Sequence, residues 1–474
     1  MKRFCFIIQL FIVSIASRCQ ITVPQWPVEN GPELSTSYRV EVRPSDGGQW
    51  TDVPVLSCEV NLARRTKSSF CEFDMCSGAI VRITSTADSI DMNKADVMVR
   101  PLSRRIPTRV VDSKTIELQL DSAACLSVEF NGDRMHNLHV FANPPLTEQH
   151  SADEKNAIDW RGKNAHDVFV KDASLIYFVP GVHRPKDLPS SDIRIPSNCT
   201  VYLSPGAVVK ARLIVDHAEN VRIIGRGIVT GGVRGVEITH SRNVLVEGIT
   251  FLNPQHYTIF GGDSRNITIR NIKSFSARSW SDGIDLMCCK DVTIDGVFMR
   301  NSDDCIALYN HRWWYWGGTS NISVRKSTLW ADVAHPVNIG THGDDRSDIG
   351  ETLENVSFED CDILYARTNA AISIACGDKN YLKDIRFNDI RVEGIYDTAL
   401  FGVSVIYSEK YNRAPGNAVD GVHFQKICYT GDERQLKPCF IKNYDDLHKV
   451  GALTLYDIKL NDKAKSLHEL LTLN

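Results

Sequence analysis

At 474 residues the chain is longer than one ordinary hydrophobic core can organise, so two domains or one long repeat array are expected. It is 43% apolar and 24% charged, the balance of a soluble globular protein. Its net charge of −4, with no basic block, argues against nucleic acid as a partner.

Lys2 and Arg3 precede an apolar run from Cys5 to Ile15, and Ser14-Ile15-Ala16 gives a small-x-small cleavage pattern. Residues 1–19 therefore read as a signal peptide; a buried first strand or a membrane anchor is the competing account. No later segment is long and apolar enough to span a membrane. The expectation is an exported monomer, extracellular or periplasmic. Export would permit disulfides among the fourteen cysteines, and Cys71 and Cys76 are close enough for a local bridge. Cys288, Cys289, Cys305, Cys361 and Cys376 sit in strand-like stretches and read as small buried hydrophobes. No cysteine and histidine set has zinc spacing, and neither metal nor cofactor is expected.

Residues 20–148 show alternating strands at Tyr38–Val42, Ala79–Ile83, Thr115–Leu120 and Leu126–Phe130, separated by turns such as Ser45-Asp46-Gly47-Gly48. That pattern predicts an N-terminal β-sandwich. Residues 149–173 are polar and read as a linker or cap.

From residue 174 to 460 one phrase recurs: Asn, Asp or Gly, then a β-branched alternating run. It appears as Asn220-Val221, Asn243-Val244, Asn266-Ile267, Asp291-Val292, Asn321-Ile322, Asn355-Val356, Asp384-Ile385 and Gly421-Val422. The first intervals are 23, 23 and 25 residues; later ones widen, as insertions at one corner of each repeat would require. Such a unit cannot bury its apolar face alone, but stacked copies make a continuous core. An all-β chain is therefore expected, with a right-handed parallel β-helix following the sandwich. Residues 461–474, with Lys463 to Leu473 weakly amphipathic, are expected to form a capping helix over its open end.

The chemically unusual stretch is Trp280-Ser281-Asp282-Gly283-Ile284-Asp285, followed one coil later by Asn301-Ser302-Asp303-Asp304-Cys305-Ile306-Ala307. The 21-residue offset places Asp282 and Asp303 on adjacent coils at nearly the same corner, where strands are about 4.8 Å apart. Crowded carboxylates raise at least one pKa, and one protonated acid beside ionised partners is what glycosidic hydrolysis needs. An isolated Asp at a coil turn more often caps backbone N–H groups, and Asp285, Asp291 and Asp295 read that way. A Ca²⁺ site is the other account of such a cluster.

These paired motifs resemble those of the polygalacturonase family, glycoside hydrolase family 28, over roughly residues 174 to 430. Ala334-His335-Pro336-Val337-Asn338-Ile339-Gly340 is similar to that family's histidine element, and Asn253-Pro254-Gln255-His256-Tyr257 falls at its cleft loop. The resemblance implies Asp303 as general acid, Asp282 and Asp304 as the carboxylates that activate water, and His335 as the tuning histidine. It implies inversion of the anomeric centre and no metal. His342, in Thr341-His342-Gly343, is a rival for His335. The family's Arg-Ile-Lys element should fall near Ala371–Ile374, where no basic residue stands; that absence argues against galacturonan itself, and Arg367 or Lys379, on neighbouring turns, is the alternative source of such a cation. The sandwich plus β-helix plan also resembles the dextranase and isopullulanase family, glycoside hydrolase family 49, which acts on neutral α-glucans. Leu126–Asp133 and His136–Phe141 carry that second resemblance.

His311-Arg312-Trp313-Trp314-Tyr315-Trp316 lies in the first widened interval. Trp313, Trp314 and Trp316 are expected either to stack on sugar rings or to pack against the sandwich, with His311, Trp280, His256, Tyr257 and His342 as further substrate contacts. Asp344, Asp345 and Asp348 read as a solvated turn. The expected partner is a polysaccharide of pectin or related type, cleaved by hydrolysis. A polysaccharide lyase would need a basic proton acceptor beside the Asp pair, and a non-catalytic carbohydrate-binding β-helix would not need three stacked carboxylates.

Overall fold

The computed structural model describes residues 21–155, 157–159, 173–184 and 192–473. The expected signal peptide and most of the expected linker lie outside the described residues.

The N-terminal region is two five-stranded sheets packed face to face. One orders Thr51–Val53, Tyr38–Pro44, Ala79–Ser85, Thr115–Leu120 and Thr108–Val110, all antiparallel. In the other, Asp133–Asn143 runs parallel to Thr66–Asp74 and antiparallel to Ala124–Phe130. Strict alternation makes the core: along Ala79–Ser85 every second side chain is buried, as a strand with one inward face requires. Val40, Val81, Leu118, Leu126 and Val140 meet between the sheets.

The remainder is a parallel β-helix. The earlier coils each contribute two short strands to a 21-stranded sheet and one to a 10-stranded sheet; in the later coils the two fuse into one long strand, as in Thr352–Tyr365 and Tyr381–Val392. Thus Arg242–Glu247, Thr250–Leu252 and Ile259–Gly262 pair in parallel with Arg265–Arg270, Lys273–Phe275 and Ile284–Met287 of the next coil. Inward residues stack coil on coil: Val244, Ile267, Val292 and Ile322 form one row of a continuous core. The repeated Asn or Asp opens each coil in the left-handed region, with φ of 57° at Asn243, 53° at Asn266 and 59° at Asn321. Asn and Asp tolerate that conformation better than most residues. The amides also bond one another along the helix: Asn220 Nδ2 donates to Asn198 Oδ1 at 2.8 Å, and Asn243 to Asn220 at 2.8 Å. Asn321 likewise donates to Asp291, and Asn355 to Asn321, each at 2.8 Å.

The sandwich docks along one side of the β-helix. An apolar seam joins Leu56, Phe70 and Phe141 to Phe275, Phe298 and Trp330. Beside it Arg300, fully buried, donates to Asn137 Oδ1 at 2.8 Å, to Arg134 O at 2.8 Å and to Asp332 Oδ2 at 3.3 Å. Leu62 N–H donates to Ser302 Oγ at 2.8 Å and Asn61 N–H to Asp332 Oδ2 at 3.1 Å.

Two expectations are corrected. The C-terminal helix is one turn, Leu467–Leu471, not the whole tail. Asn461 and Asp462 both take positive φ and fold Lys463–Ala464 back antiparallel on Lys459–Leu460, so the helix starts only at the Ser466 capping box. Cys71 is a buried free thiol facing the sandwich core, whereas Cys76 is disulfide-bonded, so the two are not joined to each other. Among the described residues no helix is long and apolar enough to cross a membrane.

Candidate active site

The three aspartates of the paired motifs converge. Asp282 and Asp304 are buried and Asp303 is half-buried, and one carboxylate oxygen of each lies within 4.8 Å of the others. Their position follows from coil pairing. Ile284–Met287 and Ile306–Tyr309 are neighbours in the ten-stranded sheet, and each aspartate sits just before its strand. Gly283 lets the two coils close: a Cβ there would lie 2.2 Å from Cys305 O. The backbone N–H of Trp280, at φ 60°, donates to Asp303 Oδ2 at 2.8 Å.

Asp304 is the best solvated by protein. It accepts from His335 N–H and His335 Nδ1, each at 2.9 Å, and from Asn338 Nδ2 at 2.7 Å. Burial pushes its pKa up, but the neighbouring His335 charge and these donors outweigh burial and hold it below the ordinary aspartate value. His335 answers in the opposite sense: burial lowers its pKa, Asp304 more than compensates, and the net shift is upward. Its Nε2 is buried with no hydrogen-bond partner. Asp303 is raised by burial and by Asp304, and Asp282 is raised strongly by burial and by Asp285, Asp303 and Asp304. The cluster therefore favours negative charge on Asp304 over charge on Asp303 or Asp282.

Asp285 belongs to this cluster rather than to a turn. Alternation along Ile284–Met287 turns Ile284 and Leu286 into the core and Asp285 outward onto the carboxylate face. It is fully buried, and burial raises its pKa strongly while Arg312 opposes the shift. Its cap-like reading in the sequence came from missing that strand phase.

Beside the carboxylates lies a cavity of about 500 Å³, lined among others by Trp280, His311, Arg312, Trp313, Trp316 and His342. Trp280 and Arg312 link the two: Trp280 holds Asp303, and the charge of Arg312 acts on Asp282 and Asp285. Trp316 stacks on His311 at 3.4 Å, and the Arg346 guanidinium covers its ring at 3.7 Å. His342 lies against Tyr309; burial and Arg312 lower its pKa to about 3, so it is neutral. Thus His335 meets Asp304, while His342 lines the cavity.

The other expected substrate contacts separate. Trp313 lines the cavity, 39% exposed. Tyr257 is buried beneath it, with ring centres 6.2 Å apart, and accepts a hydrogen bond from Arg312 at 2.7 Å. His256 packs on Tyr257 at 4.0 Å and, with its pKa lowered to about 4 by burial, is neutral. Trp314 is 69% exposed and neighbours Trp313 and Tyr315 rather than the cavity. The aromatic loop does not join the apolar seam to the sandwich; Tyr315 packs with Tyr257, Phe260 and Tyr309 on the outer face of the ten-stranded sheet.

Cations do line the cavity, but not where the motif placed them: Arg312, Arg346, Lys410 and Arg413 come from three separate loops. Arg367 stacks on Tyr396 and Lys379 Nζ donates to Ser347 O at 2.9 Å, so neither of these alternatives lies among the cavity's cations. Asp345, expected in a solvated turn, also lines the cavity.

Clustered, unequally charged carboxylates beside a sugar-sized cavity, on a parallel β-helix, are an arrangement that glycosidic hydrolysis can use. Residues 233–462 match the family model described as glycosyl hydrolases family 28. The chain is 25% identical over 218 residues to "Probable endopolygalacturonase D" of Neosartorya fischeri, covering 46% of this chain and 41% of that one. It is 29% identical over 157 residues to a "Probable polygalacturonase" of Arabidopsis thaliana, covering 32% of each. The matched segments thus span less than half of these relatives' length. In structure it is similar to Dex49A from Penicillium minioluteum, with a TM-score of 0.58 at 16% identity over 94% of this chain and 92% of that one. That likeness extends the shared fold to the N-terminal sheets.

Proposed function

We propose that the chain is an exported hydrolase that cleaves glycosidic bonds in an anionic, pectin-type polysaccharide. The observation that carries the reading is the split within the carboxylate cluster: Asp304 is held ionised by His335 and Asn338, while Asp303 and Asp282 are pushed toward their protonated forms. Asp303 protonates the leaving oxygen. Asp304 draws the proton from the attacking water, and Asp282, beside both, shares the water and the cluster's proton. His335 positions and tunes Asp304. Four cations against two carboxylates, Asp345 and Asp378, leave the cavity lining net positive, which favours a carboxylated sugar over a neutral glucan because guanidinium and ammonium groups recognise carboxylates.

Inversion is the stereochemistry we propose, on the strength of the family motifs. The carboxylates stand closer than the roughly 6.5–9.5 Å usual for inverting pairs, so retention is the second reading. The test of function is a reducing-end assay of the purified protein against polygalacturonate, rhamnogalacturonan, dextran and pullulan in parallel. Release from a uronate polymer supports the proposal. Release from dextran or pullulan alone overturns the anionic substrate, and no release from any removes the hydrolase reading.

A further inference from the structure

The ten-stranded sheet carries the carboxylates, and a long polysaccharide lying across its outer face would have to pass over coils on both sides of them. Both directions are filled by the protein's own loops.

Toward the N-terminal coils, the His311–Gly318 insertion folds back over the preceding strands. Tyr315 is buried against Gly262, where an added Cβ would lie 2.6 Å from its ring, and Phe260 packs at 5.4 Å. Trp313 covers Phe260 at 5.8 Å. The two ends of the insertion are clasped by one carboxylate: Glu351 accepts His311 N–H at 2.7 Å and Gly317 N–H at 2.6 Å.

Toward the C-terminal coils, the segment 407–413 forms a strap. It follows the strand Ala399–Val405, so it leaves from the opposite rim of the parallel sheet to Trp280, which precedes Ile284–Met287. Yet Lys410 Nζ reaches to 5.8 Å from the Trp280 ring centre, and Tyr411 stands edge-on to His342 at 6.2 Å. Asp378 ties the strap down, accepting Arg413 N–H at 2.7 Å and Asn412 Nδ2 at 3.2 Å. The remaining space of about 500 Å³ suits a guest on the order of two or three sugar rings.

From these two closures we infer that the site receives a chain end, and that the enzyme trims short units from termini instead of cutting inside long chains. The inference rests on the proposed hydrolase function. Each cut adds one water across a glycosidic C–O bond: the proton goes to the leaving oxygen and the hydroxyl to the anomeric carbon, so no further reactant is needed.

The test follows the full-length protein on whichever polymer it hydrolyses, reading viscosity, reducing ends and early product size together. Trimming gives mono- to trisaccharides from the first time point, with viscosity falling only in step with reducing ends. A steep viscosity loss at low conversion, with long early products, overturns the inference and leaves the hydrolase function standing. No release from any polymer or oligosaccharide would sink both. A double variant, Lys410→Gly with Tyr411→Gly, opens the strap and is expected to add longer early products; an unchanged product profile would show that the strap does not set the mode of action.

Discussion

The backbone N–H of Leu62, in the N-terminal sandwich, donates to the hydroxyl of Ser302 at 2.8 Å, one residue before Asp303. The sandwich therefore touches the coil of the carboxylate cluster directly, and the buried Arg300 and Asp332 anchor the same contact. Arg300→Met leaves Asp332 buried without its countercharge. It is expected to destabilise the protein by about 3–5 kcal/mol, measured by urea unfolding. Ser302→Ala removes only the positioning contact and is expected to lower kcat while the thermal midpoint moves little.

Asp303→Asn keeps the size and the Trp280 contact but removes the proton donor. Turnover is expected to fall by about 10²–10⁴-fold or more, with an unchanged melting curve and retained substrate binding. Substantial residual kcat would place the acid elsewhere in the cluster.

Two pH limbs follow from the shifts. Asp304 has a pKa below the ordinary 3.8, so activity is lost as acid protonates it at low pH. Asp303 has a pKa above 3.8, so activity is lost as its proton leaves at higher pH, which gives an acid-side optimum. His335→Gln removes the charge that holds Asp304 ionised. The acid limb of kcat/KM should then move to higher pH; an unmoved limb would mean that His335 does not tune Asp304.

Stability should respond separately. Asp282 keeps its proton in the fold to higher pH than in the unfolded chain, so its contribution falls as pH rises from 3.8 through the folded value. Asp282→Asn does not titrate. It is expected to melt higher than the native protein at pH 7 and to lose that advantage near pH 3, while being inactive throughout. Equal melting at both pH values would refute the crowding of charge.

The cations and rings lining the cavity should act on binding. Arg346→Gln is expected to raise KM for a uronate polymer by about tenfold, equivalent to roughly 1.4 kcal/mol, with kcat little changed. Because the attraction is electrostatic, added salt should weaken substrate binding by the native protein more than by the variant. Proton NMR of fresh product settles the stereochemistry: the opposite anomer supports inversion, the same anomer retention.

The sequence made the coils and the carboxylates legible because both are periodic. The Asn phrase marks each coil, and the offset from Asp282 to Asp303 falls close to one coil, so stacking could be read without coordinates. Asp285 was obscured because its meaning depends on strand phase, which a turn-like Asp-Gly-Ile-Asp string hides. Asn338 stood within a recognised motif, but its hydrogen bond to Asp304 spans 34 residues. The cavity's cations were invisible for a similar reason: Arg312, Arg346 and Lys410 come from different loops, and only the fold brings them together. Cys71 and Cys76 looked paired by proximity, but the strand carrying Cys71 turns it inward.

The ladder of Asn and Asp side chains also governs how this protein can change. The aromatic insertion and the strap leave the helix after a strand of the ten-stranded sheet and before the next Asn, Asp or Gly phrase. Asn321 bonds back to Asp291 across 30 residues and Asn355 to Asn321 across 34, at the same 2.8 Å as Asn243 to Asn220 across 23. The ladder thus keeps its register across the insertions that precede Asn321 and Asn355. Loops that line the cavity can lengthen, shrink or be exchanged while the spacing of Asp282 and Asp303 stays fixed. Under the proposed function, selectivity and bond cleavage become separately inheritable traits in this architecture, and grafting loops between relatives at that corner is the natural route to new specificities.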